Sequence, residues 1–300
     1  MKFLKTAYNR LSIVDFLNLV YLAIMLIILL IVSSKAKYFS LGLLIYATLI
    51  AFVLIMSAIR EKKSFPYKNV FMFIYPVVYF FSIFQTLALS LTYFNSNRYD
   101  DVMTKIDYWL VGVNPTVWIE KFISPGITEI MYILYFFYFP MPFFIIIYLI
   151  RNNRLKEIEE AFLQFFICYY SAYLCYYFIP VEGPRYYLEG LQKVSLTGLW
   201  LSEPIRNFIN AVETNKLDCF PSLHSAIVTV TMLITYRYHK KLFYYLLLPS
   251  AGIMISLIYC RYHYLIDAIV GFLWAIASFY LGSVMHKKLS HKFYYHFKEN

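Results

Sequence analysis

The sequence predicts an all-α, polytopic transmembrane helix bundle of about eight spans. Three observations carry that prediction. The 300 residues are 61% hydrophobic and only 15% charged, against about 25% charged in an average soluble domain. The mean hydropathy is +0.60. The apolar residues gather into runs close to the ~20 residues that a helix needs to cross a bilayer. These runs lie at 16–34, 38–59, 69–94, 127–150, 161–180, 221–238, 242–260 and 263–285. A single water-solvated core could not cover so much apolar surface, and the same composition excludes intrinsic disorder.

The first run, Phe16 to Ser34, is long for a signal-peptide core, and Ser33-Ser34-Lys35-Ala36 is a weak cleavage match. It is read as a retained span. No lipidation or sorting motif is visible. Residues 95–126 mix aromatics with charges, as in Asp107-Tyr108-Trp109 and Trp118-Ile119-Glu120-Lys121. Short helices lying in the membrane interface fit that mixture, and a plain connector with Trp anchors is the alternative. The expected organisation is an N-terminal part, 1–126, followed by a catalytic helical core, 127–300. A second long loop covers 181–220.

The net charge of +10 would raise nucleic acid as a partner for a soluble chain. Here no basic stripe stands clear of the apolar runs, so no nucleic-acid partner is expected. The membrane bilayer is the expected partner, and nothing indicates an oligomeric state. If the N-terminus is cytoplasmic, 17 of the 27 Lys and Arg fall on the cytoplasmic side. The positive-inside rule then puts both termini in the cytoplasm of a plasma (inner) membrane protein. Loops 95–126 and 181–220 and the short 260–263 junction face outward.

Three segments place ionisable groups at the mouths of apolar runs, where such groups are costly and point to function. They are Glu182-Gly183-Pro184-Arg185, Asp218-Cys219-Phe220-Pro221-Ser222-Leu223-His224 and Arg261-Tyr262-His263-Tyr264-Leu265-Ile266-Asp267. The second and third are separated by two spans, and the first closes the fifth span, so all three open on one face. His263 and Asp267 are four apart at a helical start and share a helix face. Asp267 can hold one ring nitrogen of His263 and leave the other as a nucleophile. His224 can protonate a leaving oxygen. Pro221 suits a first helical turn, whose N–H groups around Ser222 and Leu223 would face an anion. Arg185 and Arg261 are candidate phosphate donors. Together these residues form a phosphoryl-transfer set.

Other readings of the same residues exist. A lone histidine in a span is commonly a satisfied polar group. His224 with Asp267 could serve a proton relay in a transporter or flippase. His263, His224 and Asp267 could ligate a metal, but no H-x-x-x-H or carboxylate pair supports that, so no metal or other cofactor is expected. The four cysteines, Cys168, Cys175, Cys219 and Cys260, have no zinc-finger spacing. Cys168 and Cys175 are read as packing residues. Cys219 and Cys260 lie just before the two histidines and could bridge on an oxidising face.

Cys219-Phe220-Pro221-Ser222-Leu223-His224 resembles the second signature of the type-2 phosphatidic acid phosphatase superfamily, and its P-S-L-H form resembles the inositol phosphorylceramide synthase branch. His263-Tyr264-Leu265-Ile266-Asp267 resembles the third signature, with Ser256 seven residues ahead of the histidine. The chain departs from the family pattern elsewhere. The first signature is reduced to a reversed Pro184-Arg185, with Phe178 where a lysine would stand. Leu257 replaces the arginine that follows the serine. Arg261 is a candidate substitute for that arginine, and Lys193, Arg206 or Lys216 for the lysine. The resemblance implies a metal-independent enzyme that acts on a lipid phosphate ester. His263 would be the nucleophile, His224 the acid and Asp267 the orienting residue. Water or a second alcohol would take the phosphoryl group, and the transporter remains the competing reading. A catalytically dead relative serving as a scaffold is a third reading, against which the intact His224, His263 and Asp267 argue.

Overall fold

A computed structural model describes residues 11–60, 68–213 and 215–292. Several basic residues that bear on sidedness (Lys2, Lys5, Arg10, Lys62, Lys63 and Lys298) lie outside them. The described residues are helical, with one isolated bridge between Val181 and Asp218. The long helices are α1 Ile13–Ile31, α2 Phe39–Arg60, α3 Lys68–Thr86, α4 Asp100–Val111, α5 Pro125–Phe137, α6 Met141–Arg151, α7 Leu155–Phe178, α8 Ser202–Val212, α9 Leu223–Tyr238, α10 Lys240–Tyr259 and α11 Leu265–Leu289. Every predicted apolar run is helical. Among the described residues, six stretches are long and apolar enough to cross a bilayer: 13–31, 39–59, 74–94, 125–151, 240–259 and 265–289. The other two runs differ for physical reasons. At 16 residues α9 is short, and it is buried from Ser225 through Met232, so protein rather than lipid surrounds it. In α7 the tyrosines and Gln164 dilute the hydropathy. The fourth stretch is two helices, separated at Tyr138–Pro140, where Pro140 cannot supply a helical N–H.

The chain divides into two compact units. The first comprises 1–94, 146–170 and 278–300. Within it, Ser12 and Asp15 form a reciprocal capping box at the start of α1. The buried Asp15 also accepts from Tyr75 Oη. Tyr170 donates to Asn18 Oδ1 at 2.7 Å, and Gln164 donates to Ser283 Oγ at 2.9 Å. Such polar ties join helices where lipid-like surroundings supply little hydrophobic drive between them.

The second unit comprises 95–145 and 171–277. Here α10 packs against α5 and α9, and α8 packs against α5. Helix α4 resolves the question of the 95–126 loop. Its Asp100, Met103 and Asp107 are buried, and Tyr108 to Val111 are exposed. The buried face holds other chain segments by their backbones. Asp100 accepts the N–H groups of Glu182 (3.0 Å) and Gly183 (2.8 Å) and the hydroxyl of Tyr264 (3.1 Å). Asp107 accepts the N–H groups of Leu265 and Ile266, both at 2.8 Å. It thereby caps α11 from a different helix, satisfying donors with no intrahelical partner. Met103, Val181, Leu188, Cys219 and Tyr264 form a small core beneath these loops.

Burial pushes the Asp107 carboxyl up to about 6 and the charge of Asp267 adds to this, while its two amide bonds oppose. Its folded-state value lies above the ordinary one, so the folded state binds the proton more tightly. The associated stability is therefore present in acid and declines as the pH rises from about 4 to about 6. Asp107→Asn removes that slope but leaves only one oxygen for two N–H groups. We expect it to cost about 2 kcal/mol, read as a lower thermal midpoint in detergent at pH 7.

Candidate active site

Two chain reversals deliver the histidines. At the end of α10 the N–H of Arg261 bonds to the Ile258 carbonyl (3.0 Å) and the N–H of Tyr262 to the Leu257 carbonyl (3.1 Å). This is a Schellman turn, whose left-handed position is usually glycine. Here Arg261 occupies it, at φ 62°. The turn sends His263 inward and Arg261 away. The Arg261 guanidinium bonds to Glu120 Oε1 and the Val194 carbonyl, both at 2.6 Å. Arg261 therefore ties two loops together through Nη2.

The second reversal precedes α9. Ser222 is its N-cap, accepting from the Ser225 N–H at 3.3 Å. Pro221 consequently lies outside the first turn, because Ser222 rather than Pro221 closes the helix start. The N–H of Ser222 donates to the Asp267 carbonyl at 3.1 Å and is not available to an anion. Leu223 is the first helical residue and presents its N–H at the helix mouth. Gly271 on α11 permits this close approach, since a Cβ there would lie 2.2 Å from the Ser222 carbonyl oxygen. Gly271→Ala is expected to push α9 away from α11 and lower turnover about tenfold. Overpacking of this kind costs about 1–3 kcal/mol, so thermal melting read beside the rate will register both effects.

His263 and Asp267 do not share a helix face. His263 precedes α11, and its Nδ1 is 3.6 Å from Asp267 Oδ2. Asp267 instead accepts the Tyr264 N–H at 2.8 Å, the carboxylate half of a capping box. The close partner of His263 Nδ1 is the carbonyl of Cys219, at 3.0 Å. A carbonyl only accepts, so Nδ1 carries the proton and Nε2 presents a lone pair. That Nε2 lies 2.8 Å from Nδ1 of His224, which must then carry the bridging proton.

The other nitrogen of His224, Nε2, faces Glu213 Oε1 at 3.0 Å and Tyr135 Oη at 3.0 Å. Tyr135 also donates to Glu213 at 3.3 Å. Burial alone would raise the Glu213 carboxyl. The hydrogen bond and charge of His224, with His263 and Arg185 nearby, outweigh it and hold Glu213 below the ordinary carboxylate range. Burial lowers the His224 imidazole from its ordinary value, and the ionised Glu213 opposes that shift and favours a proton on Nε2. The half-buried Asp218 is pushed up to about 8 by desolvation and by the charge of Glu213.

Arg185 lies beside this pair. It donates to Asn210 Oδ1 and Tyr186 Oη, both at 2.7 Å, and its guanidinium sits 4.7 Å from the ring centres of Tyr186 and Tyr262. Tyr262 stacks on Tyr135. Lys216 sits 5.1 Å from the centre of the Tyr186 ring, so two cations share one aromatic. Arg206 pairs with Glu203 at 3.9 Å instead. Of the three candidate substitutes for the missing lysine, Lys216 shares the Tyr186 ring with Arg185, and Arg206 hydrogen-bonds Tyr132, whose hydroxyl also feels the charge of Arg185.

All four cysteines are free thiols, so the Cys219–Cys260 bridge does not form. Burial and the neighbouring Asp267 charge hold the Cys219 thiol well above its ordinary value. It therefore keeps its proton and donates to Asp267 Oδ2 at 2.9 Å. Gly183, at φ 99°, makes room for this thiol, because a Cβ there would stand 3.1 Å from Sγ. Sequence reasoning missed Glu213, Tyr135 and the carbonyl of Cys219. Glu213 had a faint signal, a carboxylate in a loop that opens on the same face as His224.

Fold and site together define a helical, multi-pass membrane protein with two hydrogen-bonded histidines at the mouths of its helices. The family model of the PAP2 superfamily matches residues 105–281, and the chain belongs to that superfamily. A PA-phosphatase related-family protein of Dictyostelium discoideum is 24% identical over 168 residues, covering 49% of this chain and 30% of that protein. The chain thus spans less than a third of the length of that relative. No solved structure matches.

Proposed function

We propose that the chain is a membrane phosphatase or phosphotransferase that cleaves a lipid phosphate ester through a phosphohistidine on His263. The supporting observation is the 2.8 Å contact between His263 Nε2 and His224 Nδ1. Each ring is held at its far nitrogen, by the Cys219 carbonyl and by Glu213. A phosphoryl group enters by replacing the bond between the rings. The Nε2 lone pair of His263 then attacks phosphorus and the P–O ester bond breaks. The leaving oxygen takes the proton from His224 Nδ1. Arg185 and Lys216 balance the phosphoryl charge, with the Leu223 N–H at the helix mouth, and Asp267 braces the loop that carries His263. The step as written uses protein groups alone.

In the second half-reaction His224 deprotonates the acceptor. Water gives free phosphate from a monoester or inositol phosphate from an inositol-phosphate lipid, and an alcohol gives a new ester. The P-S-L-H form favours the transferase outcome, with an inositol-phosphate donor lipid. The charge asymmetry of the loops favours an outward-facing site with both termini cytoplasmic. Detergent-purified protein incubated with labelled phosphatidylinositol and candidate lipid alcohols separates the two outcomes. A labelled new phospholipid is expected. Release of label only as a water-soluble phosphate would assign the chain as a phosphatase, and no release from any phosphate ester would overturn the proposal.

A further inference from the structure

Beneath the proposed nucleophile lies a second group of donor atoms that the phosphoryl step does not require as ligands. Cys219 Sγ is 2.9 Å from Asp267 Oδ2 and 3.4 Å from His263 Nδ1, and those two atoms are 3.6 Å apart. All three side chains are buried. Zinc binds thiolate, imidazole and carboxylate at about 2.0–2.3 Å, so donor atoms of a tetrahedral shell stand about 3.3–3.7 Å apart. The triangle needs only a small expansion to meet that shell. Asp267 Oδ1 is buried without a hydrogen-bond partner, so the carboxylate has an oxygen not committed elsewhere, and the fourth position would fall to water. A thiol beside an imidazole selects zinc over magnesium or calcium, which take oxygen ligands.

We infer that Cys219, His263 and Asp267 form an inhibitory zinc site, in which the metal locks the nucleophilic histidine from behind. Binding releases the Cys219 thiol proton to solvent. Zinc takes the Nδ1 position of His263, the ring proton moves from Nδ1 to Nε2, and His224 gives up its Nδ1 proton to solvent so that it accepts from Nε2 and keeps the proton facing Glu213. Nε2 then has no lone pair for phosphorus. The ion also displaces the Cys219 carbonyl from Nδ1, so the ring loses its orienting bond. Chelation reverses both changes. The inhibitory effect, though not the binding, rests on His263 Nε2 being the nucleophile.

Cobalt(II) is the probe for binding, because thiolate ligation gives a near-ultraviolet charge-transfer band. Chelator-treated full-length protein in detergent is titrated with cobalt, then with zinc. The expected result is one equivalent of thiolate-ligated cobalt, displaced by zinc, with the band lost in Cys219→Ala and Cys219→Ser and kept in Cys260→Ala. Thermal melting identifies which variants are folded, and the serine variant preserves the packing if alanine does not. Zinc is also expected to inhibit phosphate-ester turnover, at least tenfold more weakly in Cys219→Ser relative to that variant's own zinc-free rate. Absence of the band in the wild type, or its persistence in folded Cys219 variants, overturns the site. If the band behaves as expected but no ester is turned over, the metal site stands and the enzymatic reading falls.

Discussion

His263→Ala is expected to abolish phosphate-ester cleavage, with a fall in kcat of about 10⁴-fold or more. No neighbouring group can replace the lone pair at Nε2. His224 points a proton at that position, and the Cys219 thiol lies behind the ring, next to Nδ1. Removing a group that forms the covalent intermediate eliminates that route, as nucleophile knockouts do in other covalent enzymes. Two further measurements separate this from a folding defect. Acid-labile, base-stable label should be trapped on wild-type protein after a short reaction with a labelled phosphate ester, and none on His263→Ala. Exogenous imidazole should restore part of the rate, because the side chain leaves a ring-sized space beside the Cys219 carbonyl. Full activity in the alanine variant would sink the histidine mechanism.

The spans were legible because lipid is a uniform solvent. Any stretch that must satisfy its backbone within hydrocarbon becomes a helix, and apolar runs report it directly. His224, His263 and Asp267 were legible for the converse reason, as ionisable groups at the ends of such runs. What escaped were contacts made between segments. Asp100 and Asp107 look like ordinary charges on an interfacial helix. Their partners, the N–H groups of Glu182, Gly183, Leu265 and Ile266, are backbone atoms that leave no mark on side-chain patterns. Arg261 has the type and neighbourhood of a phosphate ligand. Its left-handed backbone brings it to Glu120, and in the absence of glycine nothing in the residue sequence marks that turn. The spacing of His263 and Asp267 indicated their proximity correctly, but the helix begins two residues after the histidine, so the Cys219 carbonyl stands where the carboxylate was expected.

Glu213→Gln tests the acid half of the site, and we expect a fall in kcat of about 10²-fold at neutral pH, within the range that general acid catalysis contributes. Glutamine keeps an oxygen near His224 Nε2 and a partner for Tyr135, so the local packing survives. It lacks the negative charge that holds a proton on the imidazole. The sign of the pH effect follows from that charge. In the wild type Glu213 lies below the ordinary carboxylate range, so it is ionised across the neutral range and opposes the burial that lowers the His224 imidazole. Without the charge the imidazolium gives up its proton more readily, and the alkaline limb of the kcat profile moves to lower pH. KM should change little, because Glu213 touches His224 rather than the expected phosphate position. Glu213→Asp should recover part of the rate and return the limb toward the wild-type position. A purely structural role predicts lower stability with the alkaline limb unmoved. Observing that pattern would leave His224 without an anionic partner in the mechanism, and Asp218, whose carboxyl is pushed up to about 8, would be the next residue to replace.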